Sequence, residues 1–294
     1  MKGEIIMKRV AVYHAQTKLQ VWEGERKGES LLFLHPQGSR SSIWNEMLPH
    51  FTDKYHPVCM DLRGHGESDF ADKGYDIETV CRDILAVLDQ LQIPKAHLIG
   101  NSLGGDFAVF FAAFHPERTA SLCLLDAGMI NYIGPNGERD LTREEVLAEF
   151  AQRPIKAFEP GEDIVPDNIH RWVPWEGYFA KWFQHTSRYP LPDGRIAYQI
   201  PTRINLQIME TVCDLCYEEA HRHIRCPILF LPAETEPMLS VKLQMIERVP
   251  AKVSTKTVVL ADSRHLMPLD QPIATAREIR TFLAEIAQPS SATC

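Results

Sequence analysis

Cysteine is sparse and unordered in this chain of 294 residues. The seven, Cys59, Cys81, Cys123, Cys213, Cys216, Cys226 and Cys294, are odd in number and scattered. That excludes a disulfide-stapled miniature and reads as reduced core fillers plus an exposed tail thiol. Basic residues are in deficit, with 31 Lys and Arg against 39 Asp and Glu and a formal net charge of -8. A surface dominated by phosphate neutralisation is therefore not expected, and no nucleic-acid partner is assigned. No apolar run is long enough to span a bilayer. The first residues, MKGEIIMKRVAVYH, lack the continuous apolar stretch and cleavage site of a secretory signal, so the expected location is cytoplasmic. With 45% hydrophobic residues the chain can bury a sizeable core, which sets it apart from disordered sequences.

What is present is a rhythm. Arg9 to Trp22 reads as a hairpin, and Leu31–His35, LLFLH, as a buried strand. A helix ending near His50 precedes a strand over Pro57–Met60, and apolar residues at three- and four-residue spacing predict a helix over Ile77–Leu91. Strands over Ala96–Gly100 and Leu122–Leu125 enclose an apolar helix at Leu103–Phe114. The alternation indicates an α/β fold, a mostly parallel eight-stranded sheet flanked by helices. It stops near Asp126 and resumes with strands at Pro227–Leu231 and Lys256–Leu260 and helices at Leu239–Val249 and Pro272–Ile286. No flexible linker marks either boundary, so residues 129-222 read as a predominantly helical lid inserted between strands, with 1-128 and 223-294 forming the core. QPSSATC reads as a frayed end.

The sharpest local signal is LIGNSLGG, Leu98–Gly105, between a predicted strand and a predicted helix. Gly100, Ser102 and Gly104 fit a tight elbow in which small neighbours let a strained serine project its hydroxyl from the sheet end. Such a serine needs a base, and His265 in LADSRHLMP follows the last predicted strand. His35 reads as a loop organiser, and His14, His50, His56, His97, His115, His170, His185, His221 and His223 have no comparably placed partners and no metal-site spacing. The orienting carboxylate is expected after the strand PILFL, where Glu236 is favoured over Glu234. Asp126, directly after LCLL, is an alternative on the neighbouring strand end, and Asp262 sits close to His265 only in sequence. For the oxyanion hole, the Leu103 amide follows the nucleophile. The loop PQGSRSS offers Gln37, because Pro36 has no N–H.

These segments resemble the α/β-hydrolases, in the lid-bearing group that includes esterases, lactonases and carbon–carbon bond hydrolases. DLRGHGESD, Asp61–Asp69, is characteristic of that family. The resemblance implies that Arg63, Gly64, His65, Gly66 and Ser68 shape a turn beside the active site. SRHLMPLDQP matches the family's histidine loop, with Asp270 and Pro272 at the start of the terminal helix. Two departures are His35-Pro36 in place of His-Gly, and Glu236 in place of the usual aspartate.

The expected function is hydrolysis of a small carboxylic ester or lactone through an acyl-enzyme, without metal or organic cofactor. The alternatives are a specialised acyltransferase, a carbon–carbon bond hydrolase, or a noncatalytic ligand-binding protein on the same fold. Serine at 102 argues against the covalent epoxide or haloalkane route, which in this family uses a carboxylate nucleophile. Trp172, Trp175, Tyr178, Trp182 and Phe183 are read as the lid's apolar core, some lining a pocket for an apolar acyl or aryl group. Cys213 and Cys216 read as packing residues, and Arg222 and Arg225 as a solvated return to the sheet. A monomer and a homodimer are equally compatible with the sequence.

Overall fold

The structure, a computed structural model, describes residues 6–134, 137–155, 157–160 and 181–288. Lys8–His14 (β1) and Thr17–Glu23 (β2) form the expected hairpin, turning at Ala15 and Gln16, both at positive φ. Ser30–Leu34 (β3) and His56–Met60 (β4) follow. Between them, where a helix was expected, lie two short 3-10 turns, Ser41–Trp44 and Leu48–His50. Pro49 falls in the second turn, and a proline there removes the amide a continuing helix would use.

Ile77–Gln90 (α1) is capped by Asp76, whose carboxylate accepts from the Thr79 amide at 2.8 Å. Ala96–Asn101 (β5), Leu103–Phe114 (α2) and Thr119–Leu125 (β6) complete the first half of the sheet. After the insertion come Ile228–Leu231 (β10) and Thr255–Thr257 (β11). The last strand is shorter than expected. Beyond it Leu260 makes an isolated bridge to Ala233, which carries the chain on towards the histidine loop.

The eight strands run in the order β1-β2-β4-β3-β5-β6-β10-β11. β2 is antiparallel to both neighbours, and every pair from β4 to β11 is parallel. Helices cover both faces. One core joins sheet residues such as Leu32 and Leu98 to Ile84 and Phe111; the other joins Phe33 and Ile99 to Trp44 and Phe282. β4 and β5 are buried along their whole length, which is why they read as continuous apolar runs rather than alternating ones.

The insertion leaves the sheet after β6 and returns at β10. It contains Arg143–Ala151 (α3), opened by a Thr142–Glu145 capping box, then Thr202–Asp214 (α4) and Tyr217–His223 (α5). It also holds three two-residue strands, Ala157–Phe158 (β7), Tyr189–Pro190 (β8) and Ile196–Ala197 (β9), in a small antiparallel sheet the sequence did not announce. Trp172, Trp175, Tyr178, His170 and Cys294 lie outside the described residues. Cys213 is partly buried, as a packing residue should be, whereas Cys216 is exposed ahead of α5. Leu239–Ile246 (α6), Met267–Asp270 (α7) and Pro272–Ile286 (α8) close the fold. Among the described residues no helix is long and apolar enough to cross a membrane.

Candidate active site

Parallel strands deliver their C-terminal ends to one edge, so the loops after β3, β5, β6, β10 and β11 meet there. Ser102, directly after β5, has φ 52° and ψ -131°, the left-handed backbone of a nucleophile elbow. The turn is tight enough that a Cβ on Gly100 would overlap the backbone of Gly105, and one on Gly104 would overlap the Leu34 carbonyl. The glycines therefore let β3 and its following loop lie against the elbow. Leu34 registers with Gly100, which places the His35-Pro36-Gln37 segment beside Ser102 and Leu103. Leu103 is the first residue of α2, where main-chain amides lack helical partners.

That loop is braced on two sides. The His35 Nδ1–H donates to the Pro36 carbonyl at 2.9 Å, and its Nε2 accepts from the Leu62 amide at 2.9 Å. Burial lowers the His35 pKa to about 4, so the ring stays neutral and keeps this donor–acceptor pair. The expected loop-organising role of His35 thus has a physical form. On the other side, the Gln37 side chain donates to Asn205 on α4, and the Ser187 amide donates to the Gly38 carbonyl at 2.8 Å. The insertion grips the loop directly, and the side-chain amide of Gln37 is engaged there.

The Asp61–Asp69 segment packs behind. Gly64 and Gly66 take positive φ, and the His35 and His65 rings approach to 5.1 Å between centroids. Arg63 is buried and its guanidinium binds Asp83 at 2.8 and 2.6 Å, while the Thr17 hydroxyl accepts at 2.8 Å. His14 contacts the same Asp83 at 2.6 Å, a partner sixty-nine positions away that sequence spacing did not suggest.

His265 lies in the loop between β11 and α7 and shares a cavity of about 210 Å³ with Ser102. Its Nδ1 lies 2.6 Å from Asp126 Oδ2, and since an ionised carboxylate can only accept, the imidazole donates. This geometry differs from the expectation for Glu236. The Glu236 carboxylate accepts from the main-chain amide of His265 at 3.2 Å, and Glu234 accepts from the Asp262 amide at 2.8 Å. Both glutamates hold the histidine loop by its backbone, and the carboxylate on the ring is Asp126. The reason is topological: β6 stands between β5 and β10, so its end reaches the imidazole over the elbow. Asp126 itself sits at φ 49°, turned back towards the site.

Asp126 has no exposed side-chain surface, and three further contacts secure it. The Ala233 amide donates to Oδ1 at 3.1 Å, and the Lys242 ammonium lies 2.7 Å from both carboxylate oxygens. Burial alone would raise its pKa; the His265 bond and the Lys242 charge more than offset this and hold it below the usual range. For His265, burial works downward, but the bond to Asp126 and the nearby carboxylates bring the net value above its ordinary one. Among the described residues, Asp126, Glu236 and His265 also bring ligand-type atoms within 4.8 Å of one another. Lys242 already supplies the compensating positive charge that a cation would bring there.

Asn101, the residue before Ser102, is fully buried and donates to the Leu125 and His265 carbonyls at 2.7 and 2.9 Å. It ties the elbow to the histidine loop. Neither Asn101 nor Lys242 was singled out from sequence, since their partners are brought near only by folding. The signal that was available is a polar residue ending an apolar strand.

Residues 29–165 match the family described as alpha/beta hydrolase fold. A 3-oxoadipate enol-lactonase 2 of Acinetobacter baylyi is 34% identical over 143 residues, 47% of this chain; the match spans about half of that relative, 53% of its length. Epoxide hydrolase 4 of Homo sapiens is 23% identical over 295 residues, covering 89% of this chain and 74% of the relative. The crystal structure of an E-2-(acetamidomethylene)succinate hydrolase superimposes with a TM-score of 0.75 at 22% identity, covering 96% of this chain and 100% of that one. With the eight-stranded sheet and its inserted lid-like region, these likenesses show that the chain has the α/β-hydrolase fold, with part of its sequence similar to an enol-lactonase.

Proposed function

We propose that the protein is a serine hydrolase of small carboxylic esters or lactones. The observation that carries this reading is the strained Ser102 sharing a cavity with His265, whose Nδ1 is held by the buried Asp126. In the first step Ser102 Oγ attacks the acyl carbon as its proton passes to His265 Nε2. The carbonyl electron pair moves onto oxygen, and the Leu103 and Gln37 main-chain amides receive that oxyanion. The intermediate collapses, the bond to the alcohol oxygen breaks, and His265 protonates the leaving oxygen. Water then repeats the sequence on the acyl-serine, with the imidazole as base, and releases the acid. Asp126 fixes the tautomer and stays ionised throughout, while residues 129-222 act as the lid.

The cavity also constrains the substrate. Met129, Ile130, Val212 and Met238 give it an apolar wall suited to an acyl or aryl group. Its described charged residues are carboxylates apart from His265 and Lys242, and Lys242 is spent on Asp126. A carboxylate elsewhere on the substrate would face Asp106, Glu138 and Glu236, so neutral substrates are favoured. A panel of neutral esters and lactones, each paired with a carboxylate-bearing analogue, tests this with wild type and Ser102→Ala. The expected result is turnover that falls at least about a thousandfold in the variant. The neutral member of each pair should be preferred by roughly tenfold or more, about 1.4 kcal/mol. Turnover that survives Ser102→Ala would overturn the serine reading, and a preference for the charged analogues would overturn the substrate reading.

A further inference from the structure

Lysine is rarely buried without a task, yet the Lys242 side chain on α6 is 8% exposed and lines the cavity that holds Ser102 and His265. Its ammonium contacts both oxygens of Asp126 at 2.7 Å, the same carboxylate whose Oδ2 accepts from His265. One buried negative charge therefore faces two groups that can be positive.

We propose that Lys242 is a positioning residue for the Ser102 site: it locks the Asp126 carboxylate towards the imidazole and, as a neighbouring cation, opposes protonation of His265. The inference rests on the serine-hydrolase reading of Ser102 and His265.

Geometrically, the bonds to Lys242 and to the Ala233 amide leave the carboxylate little freedom to rotate, so Oδ2 stays on Nδ1. Electrostatically, the groups around His265 are mostly acidic. Asp126 after β6 and Glu236 after β10 are in contact with its residue. Asp106 on α2 and Glu138 ahead of α3 line the same cavity, and Arg264 next to it is paired with Asp270. Without a cation, this surround would favour the protonated imidazole, the form that cannot accept the Ser102 proton. Lys242 acts against that, and Asp126 would otherwise serve the ring with its full charge.

Removing the cation should make His265 protonate more readily, so the fraction present as free base at a given pH falls and the acid limb of reactivity moves to higher pH. The rate of Ser102 labelling by a small neutral phosphonate, read by intact-protein mass across pH, reports that limb without a known substrate. Wild type, Lys242→Met, Lys242→Gln and Lys242→Arg are compared, with near-ultraviolet circular dichroism as the check on folding. The expected result is an acid-limb midpoint raised by one pH unit or more in the Met and Gln variants and restored to the wild-type value by Arg. An unchanged or lowered midpoint in Lys242→Met or Lys242→Gln, with only a slower plateau, would reduce the lysine to a structural part and overturn the proposal. If Lys242→Met fails to fold, the Gln and Arg pair decides in the same way. Absence of labelling in wild type at every pH would instead overturn the serine reading, and this inference with it.

Discussion

Asp126 accepts hydrogen bonds from His265, Lys242 and the Ala233 amide, while Glu236 accepts from the backbone of the histidine loop. The two carboxylates lie close together but act on different atoms, and substitution separates them. Asp126→Asn should lower turnover by roughly ten-thousandfold, because an amide at the ring no longer stabilises the imidazolium and can select the wrong tautomer. Glu236→Gln keeps an oxygen for the His265 amide and should cost no more than about tenfold, or 1.4 kcal/mol. Steady-state kinetics on both folded variants checks the assignment; equal losses, or a greater loss for Glu236→Gln, would return the orienting role to Glu236. Ser102 and His265 could be singled out from sequence because each stands at a fixed place relative to a strand. The partner of His265 could not, since two neighbouring strand ends both supply a carboxylate and the choice depends on which side chain is turned inward. Asp126 is chosen by a left-handed backbone and by a lysine 116 positions further on, and neither is visible in the local string.

The elbow and the oxyanion loop depend on how closely β3 and β5 approach at their ends. Gly104 is required there because any side chain would meet the Leu34 carbonyl, a main-chain atom that cannot swing aside. Gly104→Ala should therefore destabilise the fold by about 3 kcal/mol, as expected for overpacking against backbone. A denaturant midpoint that barely moves would mean that the two elements have more room than this packing allows. The strands and helices of the core were legible because β4 and β5 are buried throughout, α2 is mostly apolar, and turns punctuate them. The insertion was less legible: its strands are two residues long, too short to carry a period, and they form only by pairing with each other. The same holds for the clamp in which Ser187 and Asn205 take hold of the Gly38 and Gln37 loop, which couples the insertion to the site.

Across the whole molecule, the strand order brings separated sequence segments together at one candidate site. β5 lies between β3, which leads into the His35-Pro36-Gln37 loop, and β6, which supplies Asp126, and β11 sends His265 back over both β10 and β6. The insertion leaves from β6 and returns to β10, on either side of the carboxylate, so the cavity at Ser102 is walled jointly by sheet loops and by residues such as Val212 and Tyr217 of the insertion. If this convergence makes Ser102 a covalent nucleophile, as proposed, the acyl-enzyme must be visible. Time-resolved intact-protein mass analysis during turnover of a neutral ester should then show a transient mass increase equal to the acyl group, located on Ser102 and absent in Ser102→Ala. Turnover proceeding with no adduct on Ser102, or with an adduct on another residue, would contradict that role.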